Sequence, residues 1–142
     1  MAKETPQQDC LFNAGRRLSR LLTQAYERQL APAGLKATQF ALLAQLEPLD
    51  EEGASIVVLA RSLDIEASTF SRNLKPLVRD GLVALARGTD GRQRRVTLTA
   101  AGRARYAAAL PLWRKAQGRV REALGGKALG RLAKLVREAR TL

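Results

Sequence analysis

The sequence predicts a mainly α-helical fold carrying one small β-hairpin. Three observations lead there. Apolar residues recur three and four positions apart in six segments, the spacing that lines one face of a helix. One stretch, residues 82–98, instead holds two short apolar runs around a turn rich in Gly and Asp. Glycines, prolines and capping hydroxyls punctuate the segments where helices would start and stop.

The elements follow in order. Residues 8–31 read as a first helix, with Leu11, Ala14, Leu18, Leu21, Leu22, Ala25, Tyr26 and Leu30 on one face; Pro32 and Gly34 end it. Thr38 is placed to cap a second helix bearing Phe40, Leu42, Leu43 and Leu46, and Pro48 closes it. An acidic loop, 50–53, precedes Ser55, the cap of a third helix with Val58, Leu59 and Leu63. After a turn at Asp64-Ile65-Glu66, a fourth helix runs from about Ala67 to Asp80 and stops at Gly81. Phe70, Leu74, Leu77 and Val78 share its inner face, and Pro76 removes one donor near its end, which predicts a local bend or a weaker last turn. Residues 82–86 and 96–98 read as two strands joined by a basic turn. Thr99 caps a fifth helix, 100–124, whose pattern Pro111 interrupts and Gly125-Gly126 ends; a sixth spans about 127–140.

Composition narrows the function. The chain has 142 residues, enough for one domain with arms, and 46% of them are hydrophobic, enough for a core. It contains no His and one Cys, which excludes a His-based triad, a His metal site and an internal disulfide. Asp50, Glu51 and Glu52 lack a ligand partner of another type, so no cofactor, metal or enzymatic activity is expected. No apolar run is long enough to cross a bilayer and the N-terminus is polar, so the expected location is cytoplasmic. Aromatics are only 4%, too few for a base-stacking platform.

The net charge is +12, from 25 basic and 13 acidic residues, and it is unevenly spread. Residues 1–60 hold six basic and seven acidic side chains, a net of −1. Residues 61–105 carry +6 and residues 106–142 carry +7. The middle cluster is Arg72, Lys75, Arg79, Arg87, Arg92, Arg94 and Arg95. The basic tail recurs along helices, as a solvated face would.

Helix, turn, helix with a polar and basic outer face, followed by a basic hairpin, is the layout of a winged helix-turn-helix. An α-helix fits the major groove of B-DNA, and side chains near its N-terminus reach base edges. Ser68, Thr69 and Ser71 offer hydroxyls there, and Arg72, Lys75 and Arg79 offer charge, Arg72 also reaching for a guanine edge. The hairpin adds Arg87, Arg92 and Arg94; Arg92 is placed to enter the minor groove and Asp90 to orient it by a charge-assisted pair.

The ordered set LARSLDIEASTFSRNLKPLVRDGLV (59–83), Asp90-Gly91-Arg92 and VTLTAAG (96–102), preceded by GLKATQFALLAQL (34–46), resembles the MarR family of transcriptional regulators over roughly residues 9–140. That resemblance implies a sequence-specific regulator of double-stranded DNA, a homodimer and most often a repressor. It divides the chain into an N-terminal dimerisation helix (1–34), a winged helix-turn-helix (35–99) and C-terminal dimerisation helices (100–142), forming one intertwined domain. It also implies release from a pseudo-palindromic operator by a small phenolic or aromatic effector, or by oxidation of a Cys in the first helix. Phe12, Arg16, Tyr26, Phe40 and Trp113 are the candidate effector contacts, and Cys10 is the candidate redox residue, set where a helix N-terminus favours a thiolate. The competing reading is an architectural or adaptor winged-helix protein without an effector. The hydroxyls on the fourth helix argue for base readout over that alternative.

Overall fold

A computed structural model describes residues 3–87 and 94–142. Six helices are present among them: α1 Leu11–Leu30, α2 Ala37–Leu46, α3 Ile56–Ser62, α4 Ala67–Arg79, α5 Ala100–Leu124 and α6 Ala128–Ala139. Three strands, β1 Ala54–Ser55, β2 Val83–Arg87 and β3 Arg94–Leu98, form an antiparallel sheet in the order β1-β3-β2. The chain folds as two compact units, Leu30–Pro111 and Met1–Gln29 with Leu112–Leu142.

The Leu30–Pro111 unit holds most of the core. Leu42, Leu43 and Leu46 from α2, Leu59 from α3, and Phe70, Leu74 and Leu77 from α4 are buried, as are Leu82, Val83 and Val96. Helix α4 packs on α3, α2 and β2, so the helix-turn-helix and the sheet share one apolar interior. At roughly 100° per residue, Phe70, Leu74 and Leu77 lie within about 60° of one another, while Val78 falls at the rim of that face. Val78 is accordingly partly exposed.

Local chemistry sets the boundaries. The Oγ of Ser55 accepts from Val58 N at 3.2 Å, capping α3 as its position in sequence predicts. Thr99 Oγ1 accepts from Gly102 N at 3.0 Å and donates to Gly81 O at 2.6 Å, tying the start of α5 to the stop after α4. A Cβ on Gly102 would lie 1.9 Å from Leu82 O, so only glycine lets that helix come so close.

Several expectations need correction. The cap of α2 is Lys36, with Gln39 Oε1 accepting from Lys36 N at 2.9 Å; Thr38 lies inside the first turn. Helix α1 begins at Leu11, three residues later than the periodicity suggests. Val58 is exposed, because Ile56, Leu59 and Ala60 already fill the inner face of the short α3. Each helix continues through its proline, as its sequence pattern predicts. Helix α4 runs through Pro76 to Arg79 and α5 through Pro111 to Leu124, each forgoing one backbone bond. Strand β1 is two residues long, too short to leave a pattern in the sequence. Strand β3 begins at Arg94, so the hairpin is longer than its apolar residues indicate.

Candidate nucleic-acid interface

Helix α4 presents a narrow polar stripe opposite its buried face. Ser68, Arg72, Lys75 and Arg79 fall at offsets of 0, 4, 7 and 11, within about 60° of each other. All four are exposed, whereas Thr69 and Ser71 flank the stripe half-buried. The stripe runs from a hydroxyl at the N-terminal end to three cations, the order that suits base edges first and phosphates later. Arg72 Nη2 donates to Thr69 Oγ1 at 3.3 Å, so one hydroxyl steadies the guanidinium along the helix. Arg79 pairs with its neighbour Asp80 at 3.5 Å, an exposed pair that solvent screens.

The hairpin extends the same unit. Strands β2 and β3 pair from Val83↔Leu98 to Arg87↔Arg94, so the two arginines share the outermost described rung. Both are exposed. Asp90 and Arg92 lie outside the described residues. Arg95 differs from its neighbours. Its Nε donates to Glu52 O at 2.8 Å and its Nη2 to Gly53 O at 2.9 Å. The sequence groups Arg95 with the hairpin cations; only the fold reveals that carbonyls 42 and 43 positions away in the chain hold it.

A family model described as "MarR family" matches residues 33–93, spanning α2 to the hairpin. A crystal structure of the M. tuberculosis transcriptional regulator MosR in complex with DNA is 38% identical, with a TM-score of 0.85; the match covers 94% of this chain and 98% of that one. The chain belongs to the MarR family. The repressor CouR bound to a 23-mer DNA duplex is 25% identical, with a TM-score of 0.78 and 99% of both chains covered. CouR of Rhodococcus jostii RHA1 bound to p-coumaroyl-CoA matches at 20% identity and a TM-score of 0.74, over 96% of this chain and 95% of that one, and supports the fold alone. No curated protein matches the chain. This MarR-family chain is thus a DNA-binding transcriptional regulator and not an enzyme.

The other candidate residues of this MarR-family chain are dispersed. In the Leu30–Pro111 unit, Phe40 is 5% exposed and stacks on Tyr106 at 5.3 Å between ring centroids, a core contact. The other unit contains the rest. Phe12 is exposed, and the Arg16 guanidinium lies 5.5 Å from its ring centroid. Trp113 is half-buried. Cys10 is a half-buried free thiol just before α1, and its carbonyl accepts from Ala14 N at 3.0 Å.

Tyr26 has the most structured surroundings. Its hydroxyl is hydrogen-bonded to Gln117 Oε1, a partner that sequence spacing cannot reveal across 91 positions. Burial raises its pKa above the ordinary value, and the Arg121 guanidinium pulls it back. A cavity of about 170 Å³ adjoins it, walled by Leu22, Val120, Leu124, Leu129 and Leu132 among others. Among the described residues no group of His, Cys, Asp or Glu could hold a metal ion, and no helix is long and apolar enough to cross a membrane.

Proposed function

We propose that this chain is a homodimeric repressor whose two winged helix-turn-helix regions occupy the half-sites of a pseudo-palindromic operator. The observation that carries the DNA contact is the exposed stripe Ser68, Arg72, Lys75 and Arg79 on α4. In this reading Ser68, Thr69, Ser71 and Arg72 meet base edges, while Lys75, Arg79, Arg87 and Arg94 meet phosphates. Arg92, oriented by Asp90, completes the hairpin's contribution.

Support for the dimer comes from the unit formed by residues 1–29 and 112–142. Among its described residues only Ala116 is fully buried, yet Leu11, Phe12, Leu21, Leu124, Leu129, Leu135, Val136 and Leu142 are exposed. Leu129 and Leu135 are 63% and 60% exposed, and each Leu returned to an apolar interface is worth about 1.5–3 kcal/mol. A two-fold pairing through residues 1–34 and 100–142 supplies that interface and fixes the half-site spacing.

Release by a small aromatic effector fits the same chain. The p-coumaroyl-CoA bound to CouR, an aromatic body with a polar tail, is an example of such a compound. Tyr26, with its raised pKa and apolar neighbours, is the candidate contact that best suits such a body, with Phe12, Arg16 and Trp113 as further candidates in its unit; Phe40, packed in the core of the other unit, is not proposed as a contact. Oxidation of Cys10 is the second route, favoured by its place at the start of α1.

Selection of bound sequences from random duplex DNA, repeated with a panel of phenolic acids and with an organic hydroperoxide, tests the reading. The expected result is a two-fold symmetric motif lost with one of the additives. Recovery of no common motif favours the adaptor alternative. If wild type and Cys10→Ser respond alike to peroxide, the thiol route fails.

A further inference from the structure

Arg95 lies on the hairpin, yet its guanidinium is turned toward the protein. The donors Nε and Nη2 reach two successive carbonyls, Glu52 O at 2.8 Å and Gly53 O at 2.9 Å. Those carbonyls belong to a turn that is set independently. Gly53 N donates to Asp50 O at 3.0 Å, and Asp50 Oδ1 accepts from Glu52 N at 3.0 Å. Gly53 adopts a φ of +64°, and a Cβ there would lie 1.9 Å from Val96 O, so the turn presses directly on β3. The next two residues pair with the same strand, Ala54↔Val96 and Ser55↔Arg95, and Ser55 then caps α3.

We infer that Arg95 is a positioning residue for DNA binding, fixing the angle between the hairpin and the helix-turn-helix rather than touching DNA itself. The side chain joins β3 to the turn that leads into α3. Strand β3 carries Arg94, which is paired with Arg87, and α3 packs on α4. Two parallel hydrogen bonds from a planar fork resist rotation where one would act as a pivot. With the fork in place, the Arg87/Arg94 rung and the α4 stripe meet one duplex together. Without it the hairpin retains its strand pairing but loses its fixed bearing on α3. This inference rests on the reading that the hairpin contacts DNA.

The test compares Arg95→Gln, Arg95→Lys, the double variant Arg87→Gln/Arg94→Gln and the triple variant. Affinity is measured for a labelled duplex recovered by the selection above, with thermal unfolding followed in parallel. Arg95→Gln is expected to weaken binding about tenfold, since it loses both charged hydrogen bonds. Arg95→Lys is expected to be nearly as weak, because one ammonium does not reproduce the fork. In the Arg87→Gln/Arg94→Gln background the further loss from Arg95→Gln is expected to shrink to about threefold or less. Full binding by Arg95→Lys, or an undiminished loss in the triple variant, makes Arg95 a direct phosphate contact and overturns the inference. A lowered unfolding midpoint with unchanged affinity makes it merely structural and also overturns it. If the double variant alone binds like wild type, the hairpin reading fails as well, a result distinct from the other two.

Discussion

Single side chains divide into those that build the frame and those it presents. Ser55 belongs to the first kind: Ser55→Ala is expected to cost about 1 kcal/mol, seen as a lower midpoint in denaturant, because Val58 N loses its acceptor. Arg72 belongs to the second. Arg72→Ala is expected to cost about 1–3 kcal/mol on the selected duplex and far less on a shuffled one. An equal loss on both places Arg72 on phosphate. Tyr26 gives a pH test. Its pKa is raised in the folded state, so the stability this contributes is full below the ordinary value near 10. It is lost as pH rises past that value and through the folded one. Alkaline unfolding of Tyr26→Phe is therefore expected to show a shallower fall in stability above pH 10 than wild type. Residue identity exposes the caps Ser55 and Thr99, but the same hydroxyl signal also points to Thr38, which lies inside the first turn of α2. It could not reveal Arg95's carbonyls or Tyr26's amide partner, since both depend on which distant segments the fold brings together.

Elements were legible in proportion to their length. Helices α1 and α4–α6 stand within a few residues of their periodic patterns, because a repeat of 3.6 becomes distinct only over several turns. The two-residue β1 has no period at all, and its existence follows from Gly53 and the exposed edge of β3. The prolines leave the two longer patterns legible. A helix loses one bond at Pro76 or Pro111, but packing on either side of Pro76 and the sheer length of α5 outweigh it. The sequence pattern places Ser68, Thr69, Ser71, Arg72, Lys75 and Arg79 on one face of α4; that Thr69 and Ser71 are its half-buried margins follows only from the burial of each position. For the hairpin, Arg92→Ala is expected to weaken binding and to lower the salt slope by about one, measured as affinity against ionic strength. An unchanged slope places Arg92 off the phosphates.

For the whole molecule, the net charge of +12 has two basic components, set against −1 in residues 1–60. Residues 61–105, with +6, hold the α4 stripe and the hairpin that face the proposed duplex. The +7 of residues 106–142 lies on helices whose other face exposes Leu129, Leu135 and Val136, so it flanks the proposed dimer surface. Sedimentation is expected to show a dimer at micromolar concentration, and a Leu129→Glu/Leu135→Glu variant is expected to shift toward monomer and bind DNA more weakly. A monomeric wild type that still binds its duplex tightly contradicts the two-fold reading. In the proposed function, α4 and the hairpin read sequence as well as charge. The most direct measurement is the ratio of affinities for the selected duplex and a shuffled duplex of equal length at one physiological salt concentration. A ratio of about 10³ or more, falling steeply in Arg72→Ala, is the predicted result; a ratio near one would contradict it.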